Sequence, residues 1–270
     1  MYGCAHGSNE SQSYDGVFAE YAVVKGDVTM HAPSPSSPAS NLSLEDLSTL
    51  GLGSITVGQG LFQSGKGFGL SLPEEGKGNG EWVLICGGST ATGSLAIQIV
   101  KLAGYKVVTT CSPRNFEFVK ERGANEAFDY KDPECGAKIR EVTGGKLRYA
   151  WDTVGESAKV CEAALGEGEA RYGTILYNDD FTKEGVKQTL TVMYTMFGEA
   201  FRKYNMDFPA SEEDWEFAKR WMGLTERLVA EGKVRPHPKR AGSGGLEGIL
   251  AGLEELKKEK VSREKLVYGI

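Results

Sequence analysis

The chain has 270 residues, 40% of them hydrophobic and 25% charged, with a formal net charge of −6. That length and mixture support a sizeable buried core and exclude a mainly disordered polymer. The acidic balance argues against a broad basic surface for nucleic acid, no apolar run reaches membrane-spanning length, and the opening MYGCAHGSNESQSYDG lacks the basic and apolar regions of a secretory leader. The expectation is a cytoplasmic protein that binds neither nucleic acid nor membrane.

Taken in chain order, APSPSSPASN cannot hold a regular element, and SGKGFGLSLPEEGKGNG is a glycine-rich connection immediately before the first strand. Five short apolar runs follow, EWVLICG, YKVVTTC, EAFDY, RYAWDTV and RYGTILYN, separated by segments of helical period. That alternation predicts an α/β fold, a doubly wound parallel sheet covered by helices. Trp82 to Cys86 is continuously apolar, as a central parallel strand buried on both faces should be. Leu95, Ala96, Ile99, Val100, Leu102 and Ala103 fall at helical spacing, with Gly104 placed to stop that helix; the next, Asn115 to Arg122, ends likewise at Gly123. Beyond the fifth strand, Trp215, Ala218, Trp221, Met222, Thr225, Leu228 and Val229 share one helical face behind a Ser211/Asp214 capping signature. A second amphipathic helix runs from Leu246 to about Lys258, and EKLVYGI reads as a final strand. The cluster Lys257, Lys258, Lys260, Arg263 and Lys265 alternates with acids and reads as a solvated face. The cysteines, Cys4, Cys86, Cys111, Cys135 and Cys161, are widely spaced and suit buried free thiols in a reducing compartment.

A strand running into a glycine turn and a helix aims backbone N–H groups at an anion such as pyrophosphate. In GGSTATG, Gly87 and Gly88 permit the turn, and Gly93 allows the helix to pack closely on the strand. Ser89, Thr90, Ala91 and Thr92 stand where further glycine is usual, so hydroxyls of Ser89, Thr90 and Thr92 are candidate phosphate donors. The pattern alone is weak, because such turns also occur for purely structural reasons. The end of the second strand adds more: an NAD site places a carboxylate there, whereas Ser112, Pro113, Arg114 and Asn115 suit the 2′-phosphate of NADPH. Ser112 or Asn115 capping the following helix is the structural alternative, and both can hold together.

The string from GGSTATG to LRYAWD, with GVFAEYAVVKGDV before it and EKLVY at the end, resembles the trans-acting enoyl reductases of fungal polyketide pathways, of the lovastatin-pathway type. These form part of the zinc-independent medium-chain dehydrogenase/reductase superfamily. The resemblance implies a Rossmann domain at residues 57–205, preceded by a remnant of a GroES-like catalytic domain at 1–56. Residues 206–270 would then return to the catalytic portion. It further implies that the barrel-like part of the catalytic domain is mostly missing ahead of this chain. The implied activity is NADPH-dependent reduction of an α,β-unsaturated polyketide thioester, tethered to the carrier protein of a polyketide synthase. The competing reading is a degenerate member without net redox activity, either isomerase- or cyclase-like or a noncatalytic synthase partner.

By the same resemblance the cofactor contacts are Ser89, Thr90, Ala91 and Thr92 at the pyrophosphate, and Ser112, Pro113, Arg114 and Asn115 at the 2′-phosphate. Tyr130 falls by the adenosine, Tyr177 and Asn178 close the fifth strand near the nicotinamide, and Val261 and Ser262 come back from the C-terminal segment. Substrate-lining positions are Thr56, Val57, Gly58, Gln59, Gly60, Leu61, Phe62 and Gln63, together with Tyr194, Thr195, Met196, Phe197 and Gly198. Thr56 is the implied catalytic participant, stabilising the enolate; its plain alternative is a helix-interior threonine bonded to its own backbone. Metal chemistry is not expected, since Cys4 and His6 are the only neighbouring Cys/His pair and His31 and His237 stand alone. GGSTATG also lacks the lysine of a P-loop and the pattern of a nucleophile elbow.

Overall fold

The computed structural model describes residues 1–12 and 14–270. The elements begin with α1 (Leu44–Ser48) and α2 (Gly51–Val57), which runs into a π turn at Gly58–Phe62. There follow β1 (Trp82–Cys86), α3 (Ala91–Leu102), β2 (Lys106–Thr110), α4 (Phe116–Glu121), β3 (Glu126–Phe128), α5 (Cys135–Val142), β4 (Tyr149–Asp152), α6 (Ala158–Ala164), β5 (Ala170–Thr174) and β6 (Val186–Leu190). The chain closes with β7 (Phe201–Lys203), β8 (Met206–Phe208), α7 (Glu212–Ala230), β9 (Lys239–Gly242), α8 (Gly245–Lys257) and β10 (Lys265–Tyr268). Two compact units result, Thr56–Val192 and a second made of Met1–Ile55 with Met193–Ile270.

The first unit is a six-stranded parallel sheet in the order β3-β2-β1-β4-β5-β6. Strand order reverses between β1 and β4, and the crevice beyond the carboxyl ends of such strands is where this topology takes ligands. Val83, Leu84, Ile85 and Cys86 are fully buried, as expected of a central parallel strand. The five expected strands all form, but the sheet has a sixth. Strand β6, VKQTL, is largely exposed at the sheet edge, so it lacks the apolar run that marks the others. α3 ends beside Gly104 at φ +89° and α4 beside Gly123 at φ +112°, a left-handed conformation that glycine adopts without strain. The expected 115–122 helix is split, with a 3₁₀ turn at Pro113–Asn115 ahead of α4. A core of Leu84, Val108, Ala150 and Tyr172, from β1, β2, β4 and β5, packs with Cys135 and Ile139 of α5 and Cys161 of α6, among others.

In the second unit, the Ser211 side chain accepts from the Asp214 amide at the head of α7. Ala218, Trp221, Met222, Thr225, Leu228 and Val229 are buried along that helix, whereas Trp215 is only partly buried. Trp221 Nε1 donates to the Ser54 carbonyl at 2.7 Å. β7 and β8 form an antiparallel hairpin turned by Tyr204 and Asn205, both at positive φ, and β9 pairs in parallel with β10 beside α8.

Candidate dinucleotide and substrate site

The glycine turn beyond β1 is held from three directions. Gly87 and Gly88 donate to the Thr110 carbonyl at 3.1 and 3.0 Å, which ties the turn to β2. A Cβ on Gly88 would collide with Thr109 Oγ1, and one on Gly93 with the Gly87 carbonyl, so α3 lies against the strand end as closely as glycine allows. Thr90 caps α3, its Oγ1 accepting from the Gly93 amide at 2.9 Å. That hydroxyl therefore spends acceptor capacity on the helix and retains its proton for a neighbour. The amides of Ser89, Ala91 and Thr92 take no protein acceptor among the described residues. Three unpaired N–H groups at the head of a 12-residue helix are an anion cradle.

At the end of β2, Ser112, Pro113, Arg114 and Asn115 occupy one 3₁₀ turn. Ser112 stands at the N-cap position of this turn and Asn115 at that of α4, as the structural alternative expects, although neither caps through a side-chain hydrogen bond. The turn is held instead by backbone, the Asn115 amide donating to the Ser112 carbonyl at 2.8 Å, with proline setting φ at the first position. Arg114 is exposed and forms no hydrogen bond or ion pair among the described residues. Tyr130 lies just past β3, half exposed, with Lys131 Nζ 5.7 Å from its ring centroid.

Tyr177 and Asn178 do not close the fifth strand. β5 stops at Thr174, whose Oγ1 donates to the Leu176 carbonyl at 2.7 Å and accepts from the Leu176 amide at 3.2 Å, and this local turn draws the chain off the sheet. Tyr177 is exposed, while Asn178 is turned inward and bonded to Gly155 and Tyr172.

Thr56 and Val57 form the last turn of α2, and Gly58 to Phe62 the π turn; these residues and Gln63 are all buried. A π turn marks a place where helical register is sacrificed, often at functional positions. Here it seats Gly60 on the sheet, where a Cβ would come within 2.7 Å of both Trp151 Nε1 and Thr191 Oγ1. Those two polar atoms are buried without a hydrogen-bond partner among the described residues. In the other unit, Tyr194 to Phe197 belong to a short 3₁₀ helix. The Tyr194 ring stacks on His6 at 4.5 Å, and Lys203 Nζ sits 4.4 Å from its centroid. Burial holds His6 toward its neutral form and lowers the Lys203 pKa. Val261 and Ser262 lie between α8 and β10.

The residue that sequence reasoning missed is Asp152, at the end of β4. It is fully buried and accepts from the backbone amides of Val154, Gly155 and Ser157. No local pattern marks it, since its partners come from the following turn and from β5. Among the described residues no cluster of three or more His, Cys, Asp or Glu side chains is arranged to hold a metal, and no helix is long and apolar enough to cross a membrane.

Over residues 91–167 the chain matches the zinc-binding dehydrogenase family. It is 40% identical over 270 residues to trans-enoyl reductase ACTTS2 of Alternaria alternata, covering 99% of this chain and 74% of that protein. It is also 37% identical over 287 residues to trans-enoyl reductase resD of Aspergillus sclerotiorum, covering 99% of this chain and 77% of that protein. The chain belongs to the trans-enoyl reductase family. Its fold is shared with the enoyl reductase cyclopropanase of the curacin A biosynthetic pathway, with a TM-score of 0.65 at 21% identity over 91% of this chain and 66% of that one. An alcohol dehydrogenase superfamily protein from Novosphingobium aromaticivorans gives 0.67 at 21% identity over 87% of this chain and 66% of that one. This family member thus spans about three quarters of those two relatives and about two thirds of those two solved structures. Membership implies a nicotinamide cofactor, and the glycine turn fits one, because a dinucleotide needs the bare backbone and spare amides found there.

Proposed function

We propose that this chain is an NADPH-dependent enoyl reductase acting in trans on an α,β-unsaturated polyketide thioester, presented by the carrier protein of a polyketide synthase. The observation that carries the reading is the pair of turns beyond β1 and β2. One offers three unpaired amides to a pyrophosphate, and the other offers Arg114 with no carboxylate at the strand end. A ribose 2′-hydroxyl would favour an acid at that place, and a 2′-phosphate favours a guanidinium.

In this reading Ser89, Ala91 and Thr92 hold the pyrophosphate, while Ser112, Arg114 and Asn115 hold the 2′-phosphate. NADPH, when bound, supplies the hydride for the β-carbon of the unsaturated thioester. We assign Thr56 Oγ1 to the thioester carbonyl, where negative charge develops. The Thr56–Gln63 segment contains no Asp, Glu or His, so in this scheme the α-carbon takes its proton from a hydroxyl or from water. Much of the rate then rests on alignment and exclusion of bulk water rather than on a strong general acid. The five cysteines are all free thiols, which suits a reducing compartment, and we propose the cytoplasm.

The test uses NADPH carrying deuterium at nicotinamide C4 and an unsaturated pantetheine thioester. The expected product carries one deuterium at the β-carbon. Tight NADPH binding with no transfer to any unsaturated thioester would favour a member of the family without net redox activity.

A further inference from the structure

The carboxylate of Asp152 stands at the carboxyl end of β4, beside the point where strand order reverses. Oδ1 accepts from the amides of Val154 and Gly155, both at 2.9 Å. Oδ2 accepts from the Ser157 amide at 2.8 Å and from the Tyr172 hydroxyl at 3.4 Å. Four donors exhaust the lone pairs of a carboxylate, so Asp152 has no capacity left to contact a ligand itself. Its work is to fold residues 153–157 into one fixed turn.

That turn is seated on the dinucleotide turn. Thr153 Oγ1 donates to the Cys86 carbonyl at 2.6 Å and stands 3.3 Å from Thr90 Oγ1. A Cβ on Gly87 would come within 2.7 Å of Thr153 Oγ1 and of Val154 Cγ1. On the opposite side, Asn178 Nδ2 donates to the Gly155 carbonyl at 2.8 Å and to the Tyr172 hydroxyl at 3.3 Å. Tyr172 is itself fixed by stacking on Phe181 at 4.1 Å. One buried carboxylate thus ties together the loops that follow β1, β4 and β5.

We infer that Asp152 is a positioning residue for the dinucleotide. It sets the turn at 153–155 against Gly87 and Thr90 and couples it to Asn178, which keeps the amides of Ser89, Ala91 and Thr92 on target. The inference rests on the nicotinamide-cofactor reading above. An amide cannot substitute for the carboxylate. If the Asn carbonyl faces Val154 and Gly155, its NH₂ meets the Ser157 amide donor to donor. Tyr172 can relieve the second clash only by turning its proton away and giving up the bond to Asp152.

The experiment compares Asp152→Asn, Tyr172→Phe and Asn178→Ala with the unmodified full chain. Affinities for NADPH and NADH are measured by energy transfer from tryptophan to nicotinamide. Circular dichroism and melting without cofactor are followed alongside. At a temperature where the far-ultraviolet spectrum is unchanged, Asp152→Asn should weaken NADPH and NADH by the same factor, about tenfold for one lost positioning bond. A uniform loss separates this effect from any change at the 2′-phosphate. Tyr172→Phe should weaken both in the same direction by less, and combining it with Asn178→Ala should cost less than the sum of the two, because the pair shares one network. A folded Asp152→Asn variant that melts lower yet binds both cofactors as before would mean a structural role alone and overturns the inference. Should that variant fail to fold, unchanged affinities in Tyr172→Phe and Asn178→Ala, or strictly additive losses, overturn it equally. Failure of the unmodified chain to bind either cofactor overturns the cofactor reading itself, before any variant is considered.

Discussion

Replacing Arg114 by Ala isolates the group that distinguishes the two nicotinamide cofactors. The guanidinium lies on the 3₁₀ turn Pro113–Asn115, is exposed, and makes no hydrogen bond or ion pair among the described residues. Its removal breaks no hydrogen bond or ion pair among the described residues, so stability should move by less than about 0.5 kcal/mol, as for an ordinary surface substitution. Binding is another matter. A hydrogen bond from a charged donor to phosphate is worth about 1.5–3 kcal/mol, and exposure to solvent places this one near the lower end. About 1.5 kcal/mol is roughly tenfold in Kd, confined to NADPH because NADH has no 2′-phosphate for the guanidinium to meet. The penalty should shrink as salt is raised, because the pair is solvent-exposed. Titration of each cofactor against both proteins, at low and moderate ionic strength, reads the effect. Equal losses for NADPH and NADH, or equal affinity of the unmodified protein for both, would refute the reasoning and assign Arg114 to a solvated loop.

Gly93→Ala drives a methyl group into the Gly87 carbonyl and should destabilise by about 1–3 kcal/mol, the usual cost of overpacking, while weakening both cofactors alike; a thermal melt with parallel titrations checks it. Prolonged treatment with EDTA should leave melting and NADPH affinity unchanged, since no zinc-like ligand set exists among the described residues; stoichiometric zinc lost together with activity would contradict this. Burial pushes the Cys4, Cys111 and Cys135 thiols from the usual value near 9 up to about 12. Unfolding therefore releases protons that the folded state retains, so stability should be full below about pH 9 and fall as pH rises toward about 12. Urea midpoints measured across that range should decline, and replacing Cys111 and Cys135 by Ala should flatten the decline.

The parts of the fold legible in the sequence are those whose burial leaves a simple pattern. β1 and β2 are interior parallel strands buried on both faces from their second residue on, so β1 reads as an unbroken apolar run, WVLIC, and β2 as a β-branched one, VVTT. α7 announces itself through a serine cap and a periodic apolar face. β6 was not legible, because an edge strand reading VKQTL is exposed and alternates too weakly to separate from loop. β7, β8 and β9 span three or four residues each and contain Arg, Lys or Asp, so none shows an apolar run; β7 and β8 are defined by pairing with each other across the Tyr204–Asn205 turn, and β9 by β10, more than twenty residues on.

The candidate site divides along the same line. Gly87, Gly88 and Gly93 could be read because a backbone approach too close for any Cβ leaves glycine as its mark, and the missing acid after β2 could be read because its alternative is a charged residue. The cap at Thr90 was half legible: the hydroxyl type was evident, but its commitment to the Gly93 amide depends on helix geometry. Asp152 was not legible at all. Its donors are three amides of the turn that it creates and a hydroxyl from β5, twenty residues on, so its role exists only once the sheet has formed. The same holds for Asn178, which a linear pattern assigns to a strand end and the folded chain assigns to the Gly155 carbonyl. A strand-end carboxylate in this topology is therefore best judged by the amides that converge on it. Saturated with donors, as here, it shapes a loop; with lone pairs to spare, it would be a candidate for ligand contact.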